Sequence, residues 1–381
     1  MKIIYIANLR LPTEKAHGIQ VMKMCESFAQ QGNELELIIP RRINPIKDDP
    51  FDYYGVARVF KIRKIPCLDL ITLDKYVGHL GLWIESVSFN LFAVPYIFLK
   101  KSDIIYTRDK FFLSLSLLLK NIIFENHTFP RKYFLYRLFF KKMMGVVVIT
   151  QKLRDLLIER GISPDKILVA PDGVDLEEFN VKETKEECRR KLNLPQDKKI
   201  ILYTGHLYQW KGAQTLAEAS SYLPEDAYVY FVGGTTKDIK EFEIKNQPSG
   251  EQAAKLKVKV IGHRPHAEIP YWLKAADILV LPNSGKEDIS KFWTSPIKMF
   301  EYMASGRPIV SSDLPSIREI LNERNAVLVE PDNSKALASA IERVLRSSDL
   351  SEKISMQALR DVQNYSWSNR AKNILWFYQK N

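Results

Sequence analysis

The chain predicts an α/β protein of two Rossmann-like, doubly wound domains facing across a cleft. Three features carry that expectation. At 381 residues the chain is longer than one hydrophobic core normally serves. Short apolar runs alternate with amphipathic segments through both halves, as in parallel strands joined by helices. The alternation also restarts after a charged stretch, 176–198, that has no strand pattern before Pro195. The domains are accordingly expected at 1–178 and 179–365, with the aromatic-rich segment 366–381 packing back on the first.

Lys2–Ala7 reads as a continuous apolar strand of the buried, parallel kind. A loop with Pro12, His17 and Gly18 leads into a helix from about Ile19 to Gln31, which Gly32 ends before the strand Glu34–Pro40. Ligands of such βαβ units sit beyond the strand carboxyl ends. Gly18 is therefore either a point where backbone approaches a phosphate or a plain turn glycine. Further strands are expected at Val56–Ile62, Asp103–Thr107, Asn121–Glu125, Gly145–Thr150 and Lys166–Pro171. In the second half, strands are expected at Lys199–Thr204, Ala227–Val232, Lys257–Ile261, Asp277–Leu281, 308–311 and Ala326–Val329. Between and after them, helices are expected at Lys211–Ser221, His266–Ala276, Leu314–Leu321, Ser334–Arg346 and Ser351–Val362.

The stretch 292–312 organises the second half. Thr294, Ser295 and Pro296 open a short helix, and Pro suits a first helical position, where no amide donor is needed. Ile297 and Lys298 follow, Glu301 lies one turn on, and Gly306 ends the helix. Free amides at a helix start beside a lysine form a site for phosphate. The same residues also suit an ordinary buried helix with solvated charges. Other chemistry-bearing residues gather at strand ends: His127 after Asn121–Glu125, Gly205 and His206 with Lys211, Gly233 and Gly234, and Gly262 to Pro265 with Arg264. A lone loop histidine serves as a donor or base, or merely packs.

Net charge is +11, and residues 1–175 hold 26 basic against 18 acidic side chains. Such an excess suits an anionic partner. In 129–142 five basic residues and six aromatics occur without an acid, a pattern for an anionic membrane surface or for a helix with core aromatics and a solvated basic face. Nothing else points to nucleic acid. Three scattered cysteines give neither a disulfide frame nor a zinc site and fit a reducing, cytoplasmic compartment. No apolar run reaches spanning length, and the first residues are too short an apolar run for a signal peptide. The glycine fingerprints of dinucleotide dehydrogenases, P-loop NTPases and α/β-hydrolases are absent.

The runs FENHTFP, VVVIT, APDGVDLEEF, ILYTGHLYQWKGAQTLAEA, VYFVGG, VIGHRPHAEIPYWLKAADILVLPN and SPIKMFEYMASGRPIVSSDLPSIREIL, in that order along the chain, resemble family 4 (group 1) glycosyltransferases of GT-B architecture. The resemblance implies a retaining transfer of a sugar from a nucleotide-sugar co-substrate, with no metal and no other cofactor. It also implies a glycan, lipid-linked or small-molecule acceptor in surface polysaccharide or glycoconjugate assembly; relatives with lipid-linked acceptors favour the membrane reading of 129–142, as peripheral attachment to the inner membrane face. His127 matches the histidine at the donor sugar, and Lys211 the diphosphate-binding lysine. Glu301 matches the ribose-holding glutamate, Gly18 the glycine loop near the phosphates, and Arg264 lies where relatives meet the base. His206 replaces the usual arginine, and Lys298 is positioned to compensate for it. Trp293 stands where the first glutamate of the Glu-x7-Glu pattern is expected, with the Thr294 and Ser295 amides left to meet the donor. Alternatives are a GT-B epimerase, which calls for more acids at the sugar, and a non-catalytic nucleotide-sugar-binding protein.

Overall fold

A computed structural model describes residues 1–71, 80–129, 133–245 and 257–380. The chain divides into two compact units, 1–171 with 367–381, and 172–366. The segment 172–178, expected with the first domain, lies in the second. There the Asp172 amide donates to Ser295 Oγ at 3.0 Å, and Val174 bridges Ser366.

The first unit is built on seven strands: β1 (Lys2–Ile6), β2 (Glu34–Pro40), β3 (Lys61–Ile65), β4 (Ile104–Thr107), β5 (Ile122–Asn126), β6 (Gly145–Val148) and β7 (Ile167–Val169). They pair in parallel in the order β3-β2-β1-β4-β5-β6-β7. The central strands β1, β4, β5 and β6 are buried almost throughout, which explains their unbroken apolar sequences. The strand expected at Val56–Ile62 is displaced to β3. Asp49 caps a short helix, Pro50–Tyr54, by accepting from the Phe51 amide, and Gly55 closes it at φ +58°. The helix Trp367–Lys380 returns to this unit. A Cβ on Gly145 would stand 1.8 Å from the Tyr378 ring, so a bare glycine at the start of β6 lets that helix pack closely.

The second unit carries β8 (Lys199–Thr204), β9 (Ala227–Val232), β10 (Val258–Gly262), β11 (Ile278–Leu281), β12 (Ile309–Ser312) and β13 (Val327–Val329). All pair in parallel, in the order β10-β9-β8-β11-β12-β13. Strand order reverses between β8 and β11, and ligands of open α/β sheets bind in the crevice at such a reversal. One buried apolar cluster covers each face of this sheet, one including Met299, Phe300 and Met303 of the helix Ile297–Ala304, the other Leu216, Leu337 and Ile341.

Candidate functional site

At the reversal in the second unit, the helix Ile297–Ala304 is fastened to the end of β8. Tyr302 Oη accepts from the Thr204 amide at 2.8 Å, and Lys298 Nζ donates to Thr204 O at 2.8 Å. Pro296 precedes the helix without a side-chain cap, so the Ile297 and Lys298 amides have no acceptor within the helix, while the Met299 amide donates to Pro296 O at 2.8 Å. Ser295 Oγ accepts from the Asp172 amide, which leaves its O–H and its backbone for a ligand. Thr294 and Ser295 are both buried.

Lys298 is the most unusual group here. Its ammonium sits 3.5 Å from the centroid of the Tyr203 ring. Burial first, and the neighbouring Lys211 second, push its pKa well below the ordinary lysine value, with Glu301 opposing. A Cβ at Gly205 would come 3.5 Å from Lys298 Nζ, so the bare glycine turn, at φ +112°, leaves that face of the ammonium open. Lys211 ends a 3-10 turn, Gln209–Lys211, and burial lowers its pKa to about 8 against the pull of Asp238 and Glu301. Gly212 sets that turn down on β11, for a Cβ there would lie 1.8 Å from Pro282 O. Two lysines whose charge is disfavoured in the free protein converge on one strand reversal, an arrangement that gains from an arriving anion.

His206 does not stand as an open cation. Its Nδ1 lies 2.8 Å from Asp238 Oδ2, and its ring stacks on Tyr208 at 4.9 Å. Asp238 stays below its ordinary pKa although burial opposes it, through His206 and the Thr235 amide and hydroxyl. Glu301 is also engaged. His266 Nε2 meets Glu301 Oε1 at 3.0 Å, and His266 Nδ1 meets Glu178 Oε1 at 2.9 Å. Burial alone would lower the His266 pKa, but the two carboxylates override it and raise it to about 10. His266 is therefore an imidazolium at neutral pH, holding Glu301 by one oxygen. The sequence placed His266 only as a helix start. Its one signal was a histidine just past the Gly262–Pro265 turn, and its partners, 35 and 88 residues away, are not visible in the sequence.

Gly234, at φ +88°, ends β9 against Leu207 and Ile239. Arg264 is exposed in the loop after β10, the edge strand two positions from β8, so it is the outermost of these residues.

In the first unit, the expected loop at Gly18 is helix: Ala16–Gln30 begins before it. A Cβ at Gly18 would meet Tyr54 Oη at 2.1 Å, and that hydroxyl both accepts from and donates to the Thr13 backbone at 2.7 Å. The missing side chain is explained by Tyr54. His127 follows β5, and its Nε2 lies 2.6 Å from Glu125 Oε1. Glu125, wholly buried, also accepts from Tyr106, Gln20 and the Arg370 guanidinium, the last at 3.1 Å. Burial would raise its pKa, but Arg370 and His127 hold it well below the ordinary carboxylate value. His127 is thus oriented by an ionised carboxylate, itself fixed by the final helix. Residues 130–132 of the basic aromatic stretch lie outside the described residues. Its remainder forms the helix Tyr133–Lys142, with Arg137, Leu138, Lys141 and Lys142 exposed and Phe140 buried.

Comparison with known proteins bears on both units. A profile described as "Glycosyltransferase Family 4" matches residues 18–178, and one described as "Glycosyl transferases group 1" matches 198–347. A putative teichuronic acid biosynthesis glycosyltransferase of Bacillus subtilis is 28% identical over 209 residues, covering 54% of this chain and 48% of that protein. The chain spans about half the length of the curated relatives it matches. Among solved structures, the sucrose-phosphate synthase of Thermosynechococcus elongatus superposes with a TM-score of 0.79 at 18% identity, over 100% of this chain and 98% of that one. Anabaena HepE, solved with UDP and glucose, gives 0.77 at 15% identity over the full length of both chains.

Proposed function

Since the chain belongs to the group 1, family 4 glycosyltransferases, we propose that its second unit holds the diphosphate of a nucleotide-sugar donor at the β8–β11 reversal and that the enzyme transfers the sugar with retention, without a metal. The observation that carries this reading is the pair Lys211 and Lys298 beside the start of the helix Ile297–Ala304, each with its charged state disfavoured until an anion arrives. As the bond between the anomeric carbon and the diphosphate breaks, its electron pair passes to the phosphate oxygen, and the two ammonium groups and the helical amides offset that charge. The acceptor hydroxyl attacks the anomeric carbon on the same face, and its proton passes to the departing phosphate oxygen. Glu301, steadied by His266, presents its second oxygen to the ribose hydroxyls. The acceptor class we propose is a growing surface glycan or lipid-linked saccharide on the cytoplasmic face of a membrane. The name of the Bacillus relative supports the polysaccharide role, and the UDP bound in HepE makes uridine diphosphate sugars the first to try.

A panel of uridine, guanosine, adenosine and thymidine diphosphate sugars tests the donor. One of them should raise the melting temperature and then be turned over in the presence of a chelator. Binding with no transfer or hydrolysis for any donor would leave a binding protein in place of an enzyme. Full turnover by Lys211→Ala would remove the charge-offset mechanism.

A further inference from the structure

The helix Leu80–Lys100, 21 residues and so about 31 Å long, leaves a wide apolar face exposed and buries its one carboxylate. A surface helix normally turns its apolar stripe inward and its polar face to water. Here the buried stripe includes Gly81, Glu85, Ser86 and Ser88 beside Phe89, Ala93 and Ile97. The outward face carries Leu80, Trp83, Val87, Leu91, Phe92 and Leu99, exposed by 51–84%. Glu85 is the only Asp, Glu, Lys, Arg or His from Leu80 to Leu99, and it points inward, accepting from Asn8 Nδ2 at 3.1 Å. The apolar surface continues onto the packed 3-10 segment Lys110–Leu117, where Leu117 is 50% and the following Leu118 71% exposed. Contiguous apolar surface of this extent marks an interaction site in a water-soluble fold.

The charges at its borders indicate the partner. Lys100 and Lys101 follow Leu99 directly, exposed Lys120 follows the leucines at 117–119, and exposed Lys141 and Lys142 end the helix Tyr133–Lys142, which packs on the same 3-10 segment. An apolar face ending in lysines is the arrangement of a helix lying at the headgroup level of an acidic bilayer. A transmembrane course is excluded by the inward stripe, where Phe89, Ala93 and Ile97 are fully packed against the protein and Glu85 is bonded there. We propose that this face seats the first unit on an anionic bilayer, with the helix Leu80–Lys100 in the membrane plane. The proposal involves no residue of the donor site and stands whether or not the donor reading does.

The test is flotation of the full chain with phosphatidylcholine vesicles, with and without phosphatidylglycerol. The wild type should float with the acidic vesicles. Trp83→Ser/Leu91→Ser/Phe92→Ser, at positions exposed enough to spare the core, should lower the bound-to-free ratio by at least about tenfold. It should keep the wild-type melting temperature and any shift given by the nucleotide-sugar panel. Lys100→Gln/Lys101→Gln should weaken binding to the acidic vesicles several-fold and leave binding to neutral vesicles unchanged. Equal flotation of the triple variant, or a wild type that stays in the aqueous phase with both vesicles, overturns the proposal. So does a wild-type dimer that the triple variant converts to monomer without any vesicle binding, which would assign the face to a second copy of the chain.

Discussion

Donor affinity should fall with rising pH, with a slope set by Lys211. In the free protein its pKa is about 8, lowered chiefly by burial. A diphosphate beside it favours the ammonium and returns it toward the ordinary lysine range near about 10.4. Binding therefore takes up a proton wherever the free protein has lost it and the complex keeps it. Below about pH 8 the Lys211 part of this linkage is silent, and above it Lys211 lowers affinity by about one logarithmic unit per pH unit, with Lys298, whose pKa is lowered too, adding in the same direction. At about pH 9 roughly one free molecule in ten still carries the charge, so the dissociation constant should be about tenfold higher than at about pH 7, or about 1.4 kcal/mol. The diphosphate of a nucleotide sugar is a diester that does not titrate in this range. Isothermal titration calorimetry in buffers of different ionisation enthalpy reads both the constant and the proton uptake. Lys211→Arg, charged at every pH used, should lose the added slope while still binding. The stability of the ligand-free protein should move the other way: the unfolded chain holds the Lys211 proton more tightly, so stability rises from about pH 8 toward the unfolded value. An unchanged wild-type constant between the two pH values, or an arginine variant with the same slope, would refute the reasoning.

His266→Gln removes the imidazolium between Glu178 and Glu301. We expect donor affinity to fall about tenfold, the scale of one charge-assisted contact, and the melting temperature to fall as well, because two carboxylates lose the cation they share. Affinity equal to wild type would show that Glu301 needs no clamp. Arg370→Met leaves Glu125 buried without its guanidinium. Urea unfolding of the full chain should register a loss of about 3–5 kcal/mol in the first unit. Because the Glu125 pKa is held low in the folded state, its contribution is present above the ordinary carboxylate range and disappears as pH falls. The gap between variant and wild type should therefore narrow in acid.

The sheet architecture was legible because each buried parallel strand announces itself locally. Six residues such as Lys199–Thr204 suffice, and the glycines at Gly205, Gly233 and Gly212 mark the turns that follow. Lys298 was legible for the same reason, as a lysine in the first turn of a helix opened by Ser295-Pro296. Gly18 misled because its reason is Tyr54, 36 residues on, whose hydroxyl fills the space a side chain would take. The segment 56–62 misled because its apolar residues alternate, whereas the helix Pro50–Tyr54 ends just before it and strand pairing begins only at Lys61. The hidden parts are long-range pairings: His206 with Asp238, His266 with Glu178 and Glu301, Glu125 with Arg370. Each depends on which strand ends the topology brings together, and no window of sequence contains both partners. The helix Leu80–Lys100 escaped for another reason. Its run reads only as too short to span, and only the packing shows that Glu85 and the serines turn inward while Trp83, Leu91 and Phe92 stay exposed.

The return of Trp367–Lys380 to the first unit makes that unit discontinuous in the chain, whereas 172–366 is continuous. Proteins emerge from the ribosome in order, and domains usually fold as units as they appear. Here the order is inverted. The unit translated first holds a buried carboxylate, Glu125, whose guanidinium partner is made 245 residues later. Until then its sheet lacks both that charge and the Tyr378 ring that covers Gly145. The second unit can mature while the first waits, so any truncation that removes only the last helix should damage the oldest part of the nascent chain.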